Sequence, residues 1–190
     1  MSAAAPATAP GPRRPGGRGV VAIAIVALLA IALLAWLLLC SEDEASTAPG
    51  LPRAADPAQL RALSASVGHD VYWAGSPAAG TELELTHQPD GRIYIRYLTG
   101  DGEVGEARSQ FTTVGTYPVP AALSVLRREA RQPQAITRDL PGGGLAYLNS
   151  DRPTSIYLAW PGSDYEVEVF DPSPKRALNL VLAGKVVPVG

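Results

Sequence analysis

Hydrophobic and polar positions divide the chain into regimes of different period. From Val20 to Leu39 the sequence VVAIAIVALLAIALLAWLLL is an unbroken apolar run. At 1.5 Å per residue a helix over it is about 30 Å long, the hydrocarbon thickness of a bilayer. Met1 to Gly19, rich in Ala, Pro, Gly and Arg, has no apolar period and cannot bury enough surface to offset chain entropy, so it is expected to be a disordered tail. Ser41 to Ala55 is short, acidic at its start and broken by Pro49-Gly50 and Pro52. From Asp56 onward apolar residues recur at periods of about 3.6 and 2, the signature of a folded domain. The expected organisation is a cytoplasmic tail over 1-19, a transmembrane helix over 20-39, a linker over 40-55 and an extracytoplasmic α+β domain over 56-190.

Within that domain, Asp56-Pro57 reads as an N-cap followed by proline in the first helical turn, and Leu60, Leu63 and Val67 line one helix face up to a stop at Gly68. Val71 to Ala74 reads as a short strand. Thr81 to Leu98 (TELELTHQPDGRIYIRYL) predicts a hairpin closed by the three-residue loop Pro89-Asp90-Gly91, with proline at the second position of a type I turn and glycine where φ must be positive. That register pairs Leu85 with Ile95 and Leu83 with Tyr97 on the core face, and Glu84 with Arg96 on the polar face.

Thr99 to Gln110, charged and glycine-rich, reads as a mobile loop. Phe111 to Tyr117 predicts a strand, and Pro118 to Arg131 a helix with Val119, Leu123 and Leu126 inward, ended by Pro133. Ala135 to Leu140 and Leu145 to Leu148 are expected strands joined by a flexible Pro141-Gly142-Gly143-Gly144 connector. Ser155 to Asp171 predicts a second hairpin over a Gly162-Ser163 type II′ turn, pairing Ile156 with Val169, Leu158 with Val167 and Trp160 with Tyr165. Pro174 to Leu182 is a closing helix capped by Gly184, and Val186 to Val189 a last strand.

The fold class is therefore α+β: an N-terminal transmembrane helix followed by one small domain with a mainly antiparallel sheet and two or three short helices, expected on one side of the sheet. A faint echo between Val71 to Ala74 and Leu145 to Leu148, each followed by a hairpin, fits a duplicated β-ββ unit.

Charge sets the topology. Arg13, Arg14 and Arg18 precede the run and Glu42, Asp43 and Glu44 follow it, so the N-terminus is expected in the cytoplasm and the domain outside, with Trp36 at the outer interface. The run is longer than the 7 to 15 apolar residues of a cleavable signal. Cys40 lies where a lipoprotein is acylated, but Leu39 before it is not small; Arg13-Arg14 lacks the apolar follow-up of a twin-arginine signal. With one cysteine in 190 residues no internal disulfide forms. An outer part left acidic by the tail's arginines excludes nucleic acid as a partner. Abundant Ala, Gly, Pro and Arg reflect GC-rich coding.

Candidate chemistry is sparse. The chain has two histidines. His69-Asp70 with Ser66 or Ser76 makes an imaginable triad without a G-x-S-x-G elbow, and His87 falls at a hairpin rim opposite Ile93. No His-x-His or Cys-x-x-Cys spacing supports a metal, Gly142 to Gly144 lacks the context of a phosphate loop, and no cofactor is implied. Glu82 with Glu84, and Glu166 with Glu168, are i, i+2 carboxylates about 7 Å apart, near the separation glycoside hydrolases use, although solvated strand faces carry such pairs too. Among the aromatic residues, Tyr94 and Tyr157 are expected on outward strand faces, where an amphipathic ring can contact a partner protein or a carbohydrate.

The segments VYWAG (71-75), GRIYIRYL (91-98), VGTYPVP (114-120) and PKRAL (174-178) resemble a group of functionally uncharacterised single-pass membrane proteins of GC-rich bacteria with a small extracytoplasmic domain. The resemblance implies these boundaries and carries over no activity or site residue. The expected function is a membrane-anchored extracytoplasmic interaction or accessory module of the cell envelope, held in the lipid bilayer by Val20 to Leu39. The alternatives are a small envelope hydrolase using sheet carboxylates, or a structural spacer.

Overall fold

The computed structural model describes Gly50 to Gly190. The tail, the apolar run Val20 to Leu39 and Cys40 lie outside the described residues. No helix among the described ones is long and apolar enough to cross a membrane.

The chain enters the sheet earlier than expected: Arg53–Ala55 forms β1, which pairs antiparallel with β3 (Thr81–His87) and takes the last three residues of the expected linker. Asp56 then caps α1 (Pro57–Val67) through a reciprocal capping box. Its carboxylate accepts the Gln59 N–H at 2.8 Å, and Gln59 Oε1 accepts the Asp56 N–H at 2.9 Å. Gly68, at φ 73°, ends the helix in the left-handed conformation.

β2 (Tyr72–Trp73) pairs with β10 (Val187–Pro188) in a separate ribbon. β3 and β4 (Ile93–Thr99) form the first hairpin in the expected register, Leu85 opposite Ile95 and Glu84 opposite Arg96. Its turn is the three-residue loop: Gln88 N–H donates to the Arg92 carbonyl at 2.8 Å, with Gly91 at φ 85°. β5 (Thr112–Pro118), α2 (Ala122–Glu129), β6 (Ala135–Leu140), β7 (Gly144–Asn149), β8 (Ser155–Ala159), β9 (Tyr165–Phe170) and α3 (Pro174–Leu182) follow. α3 ends in a Schellman pair, Gly184 N–H to the Val181 carbonyl and Lys185 N–H to the Leu180 carbonyl, both 3.0 Å.

The main sheet has eight strands in the order β1-β3-β4-β5-β9-β8-β7-β6, every neighbour antiparallel. Two meanders, β3-β4-β5 followed by α2 and β7-β8-β9 followed by α3, meet through the β5–β9 ladder at the centre. This topological repeat is not the one the sequence echo suggested, because β2 sits in the ribbon whereas Leu145 to Leu148 lies in the main sheet.

Alternation along each strand separates two faces. One buries Leu83, Leu85, Ile93, Ile95 and Val189 against Leu60 of α1, and Ile156, Leu158, Val167 and Val169 against Ala177 and Val181 of α3. The intervening residues Tyr147 and Ala159, with the partly buried Leu145 and Tyr157, meet Ala122, Leu123 and Leu126 of α2 on the opposite face. The helices therefore cover both sides of the sheet, correcting the one-sided arrangement expected. The apolar residues on both faces of β7 and β8 demand it: a single helical layer would leave one set in water.

α2 also starts later than expected. Val119 precedes Pro120, which disfavours helical φ/ψ at that position. Its N–H is taken by the Asp164 carbonyl, and Asp164 Oδ1 accepts the N–H of Ala121, a left-handed residue at φ 53°, both at 2.8 Å. The second hairpin keeps its register, Ile156 opposite Val169 and Leu158 opposite Val167, but its turn lies one residue earlier. Ser163 N–H donates to the Trp160 carbonyl, so Pro161-Gly162 are the central residues, with Gly162 at φ 76°. Proline then glycine with positive φ is the type II pattern, and it replaces the expected type II′ turn at Gly162-Ser163.

Candidate functional site

The face carrying α2 is only partly covered by it. Over β3, β4, β5 and β9 the cover is the 100-111 loop, and a groove opens between loop and sheet. Its cavity, about 320 Å³, is lined by Tyr94, Arg96, Thr113, Tyr117, Glu168 and Phe170 from the strands and by Glu106, Arg108 and Phe111 from the loop.

The floor is built by ladder register. Tyr94 on β4 pairs with Gly115 on β5, Gly115 with Glu168 on β9, Glu168 with Tyr157 on β8, and Tyr157 with Tyr147 on β7. The two outward tyrosines expected from sequence, Tyr94 and Tyr157, thus share one cross-strand row, both partly buried. They do not line the same cavity: Tyr94 lines the groove, whereas Tyr157 borders the neighbouring hollow with Tyr147 and Arg152.

Between them stands Tyr117, which sequence reasoning placed only as the end of a strand. It meets Tyr94 edge to face, with ring centroids 5.6 Å apart, and donates its hydroxyl to Glu168 Oε2 at 2.5 Å. Burial first, and the bond to Glu168 second, push the Tyr117 hydroxyl far above its ordinary value, so it acts as a fixed donor. The available sequence signal was Gly115, a glycine in a strand interior, which marks a close approach.

Glu166, two residues from Glu168 on the same face, is pushed up to about 7, chiefly by burial and then by the charges of Glu168 and of Glu129 on α2. Burial and then the charge of Glu168 also raise the Tyr157 hydroxyl.

The loop wall, expected to be mobile, is tied to the sheet by hydrogen bonds. Glu84, expected on a solvated face, is 1 % exposed. Its Oε2 accepts the Gly105 N–H at 2.6 Å and its Oε1 pairs with Arg96 at 2.8 Å. Arg96 in turn donates to the carbonyls of Glu106 and Arg108, at 3.0 and 2.9 Å. Arg108 pairs with Glu106 and Asp101, and the guanidiniums of Arg96 and Arg108 lie 5.3 and 5.9 Å from the Phe111 ring centroid. A buried carboxylate facing a backbone N–H and a guanidinium must keep both partners, so it fixes the loop.

The other sequence candidates scatter. Glu82 is exposed, and His87 sits opposite Ile93 at the end of the first hairpin. His69 stacks on Tyr165, centroids 3.9 Å apart, on the face opposite Glu84, Glu166 and Glu168, so these carboxylates do not converge with it. Among the described residues no histidine or cysteine lines the groove. Among the described residues no three His, Cys, Asp or Glu side chains gather as a metal site.

The groove offers a rigid carboxylate, aromatic edges and guanidiniums already neutralised by Glu84 and Glu106, a surface for recognition by stacking and hydrogen bonding. Comparison with known proteins finds no matching family, no matching curated protein and no matching solved structure.

Proposed function

We propose that the chain is a single-pass protein of a bacterial cell envelope, anchored through Val20 to Leu39, with an extracytoplasmic domain that binds a partner on its tyrosine-lined sheet face. The observation that carries the binding reading is the row Tyr94, Gly115, Glu168, Tyr157, with Tyr117 laid across it, on a face that α2 leaves partly open. Amphipathic rings around a fixed carboxylate suit an envelope protein or a carbohydrate. The anchor rests on the length of the apolar run and its arginine-rich flank.

The test is photo-crosslinking in native membranes, with the crosslinker at residue 94 and, as control, at the exposed Glu82. Specific neighbours captured from 94 and not from 82 support the reading; identical background from both overturns it. Cysteine labelling from outside intact cells should reach positions after Leu39 and miss the tail, and labelling of the tail would reverse the orientation.

One observation favours a second reading, a small hydrolase. Glu166, raised to about 7, neighbours Glu168 on the same strand face, and unequal carboxylates of this kind are what general acid–base chemistry uses. Hydrolysis of envelope glycans by the wild type, abolished in both Glu166→Gln and Glu168→Gln, would establish it.

A further inference from the structure

The sheet face opposite the groove carries a second cleft, about 410 Å³, where the α1–β2 connection meets the β8–β9 turn. Its walls are two stacked aromatic pairs: His69 on Tyr165, and Tyr72 on Trp160 with centroids 5.1 Å apart and planes within 10°. The walls are fixed. Trp160 Nε1–H donates to the Pro141 carbonyl at 3.2 Å, Tyr72 N–H donates to Thr116 Oγ1 at 3.1 Å, and the His69 carbonyl accepts from Ser64 Oγ.

What the cleft lacks, among the described residues, is positive charge. The Trp160 N–H is committed to Pro141. His69 Nδ1–H donates to the Asp70 carbonyl at 3.0 Å. Asp70 and Asp164 bring carboxylates, and among the described residues no Lys or Arg lines the cleft. One oxygen of Asp164 accepts the Ala121 N–H; among the described residues the Asp70 carboxylate accepts no hydrogen bond.

Tyr72 supplies an independent observation. It is 8 % exposed, yet among the described residues its hydroxyl makes no hydrogen bond. No side-chain polar atom sealed from the surface lacks a partner there, so this hydroxyl opens onto the cleft that Tyr72 lines. Burial first, and the charge of Asp70 second, raise it above its ordinary value.

Negative charge without positive, an unbonded tyrosine hydroxyl and four aromatic rings together define the occupant. A ligand made of N–H donors on a positive group, with an apolar stem to lie along the rings, matches every wall. We infer that this cleft binds an organic cation, a guanidinium or alkylammonium group carried on an apolar stem, with Asp70 and the Tyr72 hydroxyl as its polar partners. The site is separate from the tyrosine groove, on the other face of the sheet, and does not depend on it.

The experiment titrates the full chain in nonionic detergent with acetyl-arginine amide, acetyl-lysine amide, cadaverine and acetyl-citrulline amide, the last a neutral isostere of the first. Saturable binding of a cation, at least about tenfold tighter than citrulline and weakening with salt, is expected. Asp70→Asn should reduce it about tenfold and Tyr72→Phe about threefold, both with unchanged Tm, because Asp70 is exposed and the Tyr72 hydroxyl holds nothing. Tighter binding of the blocked amino acids than of cadaverine assigns the cation to a polypeptide side chain, and the reverse to a free amine; either supports the site. Absence of saturable cation binding, equal binding of citrulline, or indifference to both substitutions overturns it.

Discussion

The Tyr117 hydroxyl reaches Glu168 Oε2, 2.5 Å away, across Gly115, the residue that pairs with Glu168 in the central β5–β9 ladder. A Cβ at position 115 would lie 2.6 Å from Tyr117 Cζ, closer than side-chain carbons approach. Gly115→Ala therefore displaces the ring, at a cost of about 1 to 3 kcal/mol, and Tyr117→Phe leaves Glu168 without its donor, at about 1 to 2 kcal/mol. Because both changes break the bond to Glu168 while the clash with the ring persists in Tyr117→Phe, urea unfolding of the double variant should fall short of the sum by about the worth of that bond. Additive losses would show that Gly115 and Tyr117 act separately.

The loop over the groove hangs on Glu84. Removing its carboxylate in Glu84→Ala leaves Arg96 unpaired where its side chain is 17 % exposed, and frees the Gly105 N–H. Breaking a buried pair from one side costs about 3 to 5 kcal/mol. Beyond the lower unfolding midpoint, trypsin should cut at Arg108 much faster than in the wild type under native conditions. Unchanged cleavage there would mean that the loop is held by its own contacts.

Glu166 makes stability depend on pH in a direction opposite to most carboxylates. Its folded pKa, about 7, lies above the ordinary value of 4.5, so the folded state binds more protons than the unfolded between those two values. Its contribution is intact below 4.5 and is lost as pH rises toward 7. Glu166→Gln removes this penalty: its Tm gain over the wild type should grow between pH 4.5 and 7 and then level off. A gain independent of pH would refute the assignment.

Gly144 opens β7 and packs against Trp160, rather than belonging to the flexible connector expected. A Cβ there would meet Trp160 Cδ1 at 2.6 Å and the Ala159 carbonyl at 3.0 Å. Gly142 and Gly143 before it, both at φ 75°, form the turn that brings β7 under the indole. Gly144→Ala should lower stability by about 1 to 3 kcal/mol and shift the indole's near-UV circular dichroism band, whereas Ala at the exposed Gly100, where a Cβ meets nothing within 4 Å, should leave that band unchanged. An unaltered band in Gly144→Ala would show that Trp160 has room to move.

Local pattern settled much of this fold. A capping box, a proline–glycine turn and period-2 alternation each involve residues close in sequence, so α1 and the registers of both hairpins were legible in the chain itself, down to Leu85 opposite Ile95 and Leu158 opposite Val167. The outward direction of Tyr94 and Tyr157 followed from the same alternation.

Everything that joins the halves was not legible. The β5–β9 ladder connects residues about fifty apart, and no property of Thr113 or Phe170 names its partner. Only that ladder puts Glu168 between the two tyrosines and brings Tyr117 to it. Burial of Glu84 depends likewise on a loop that reads as solvent-exposed until Gly105 and the carbonyls of Glu106 and Arg108 close over the ion pair. By itself the sequence determined where most of the strands and helices form, because hydrogen bonding and periodicity are local, whereas β1 and the start of α2 depend on partners far along the chain. The tertiary structure alone decided which polar groups are desolvated and which face each other, because burial belongs to the assembled sheet.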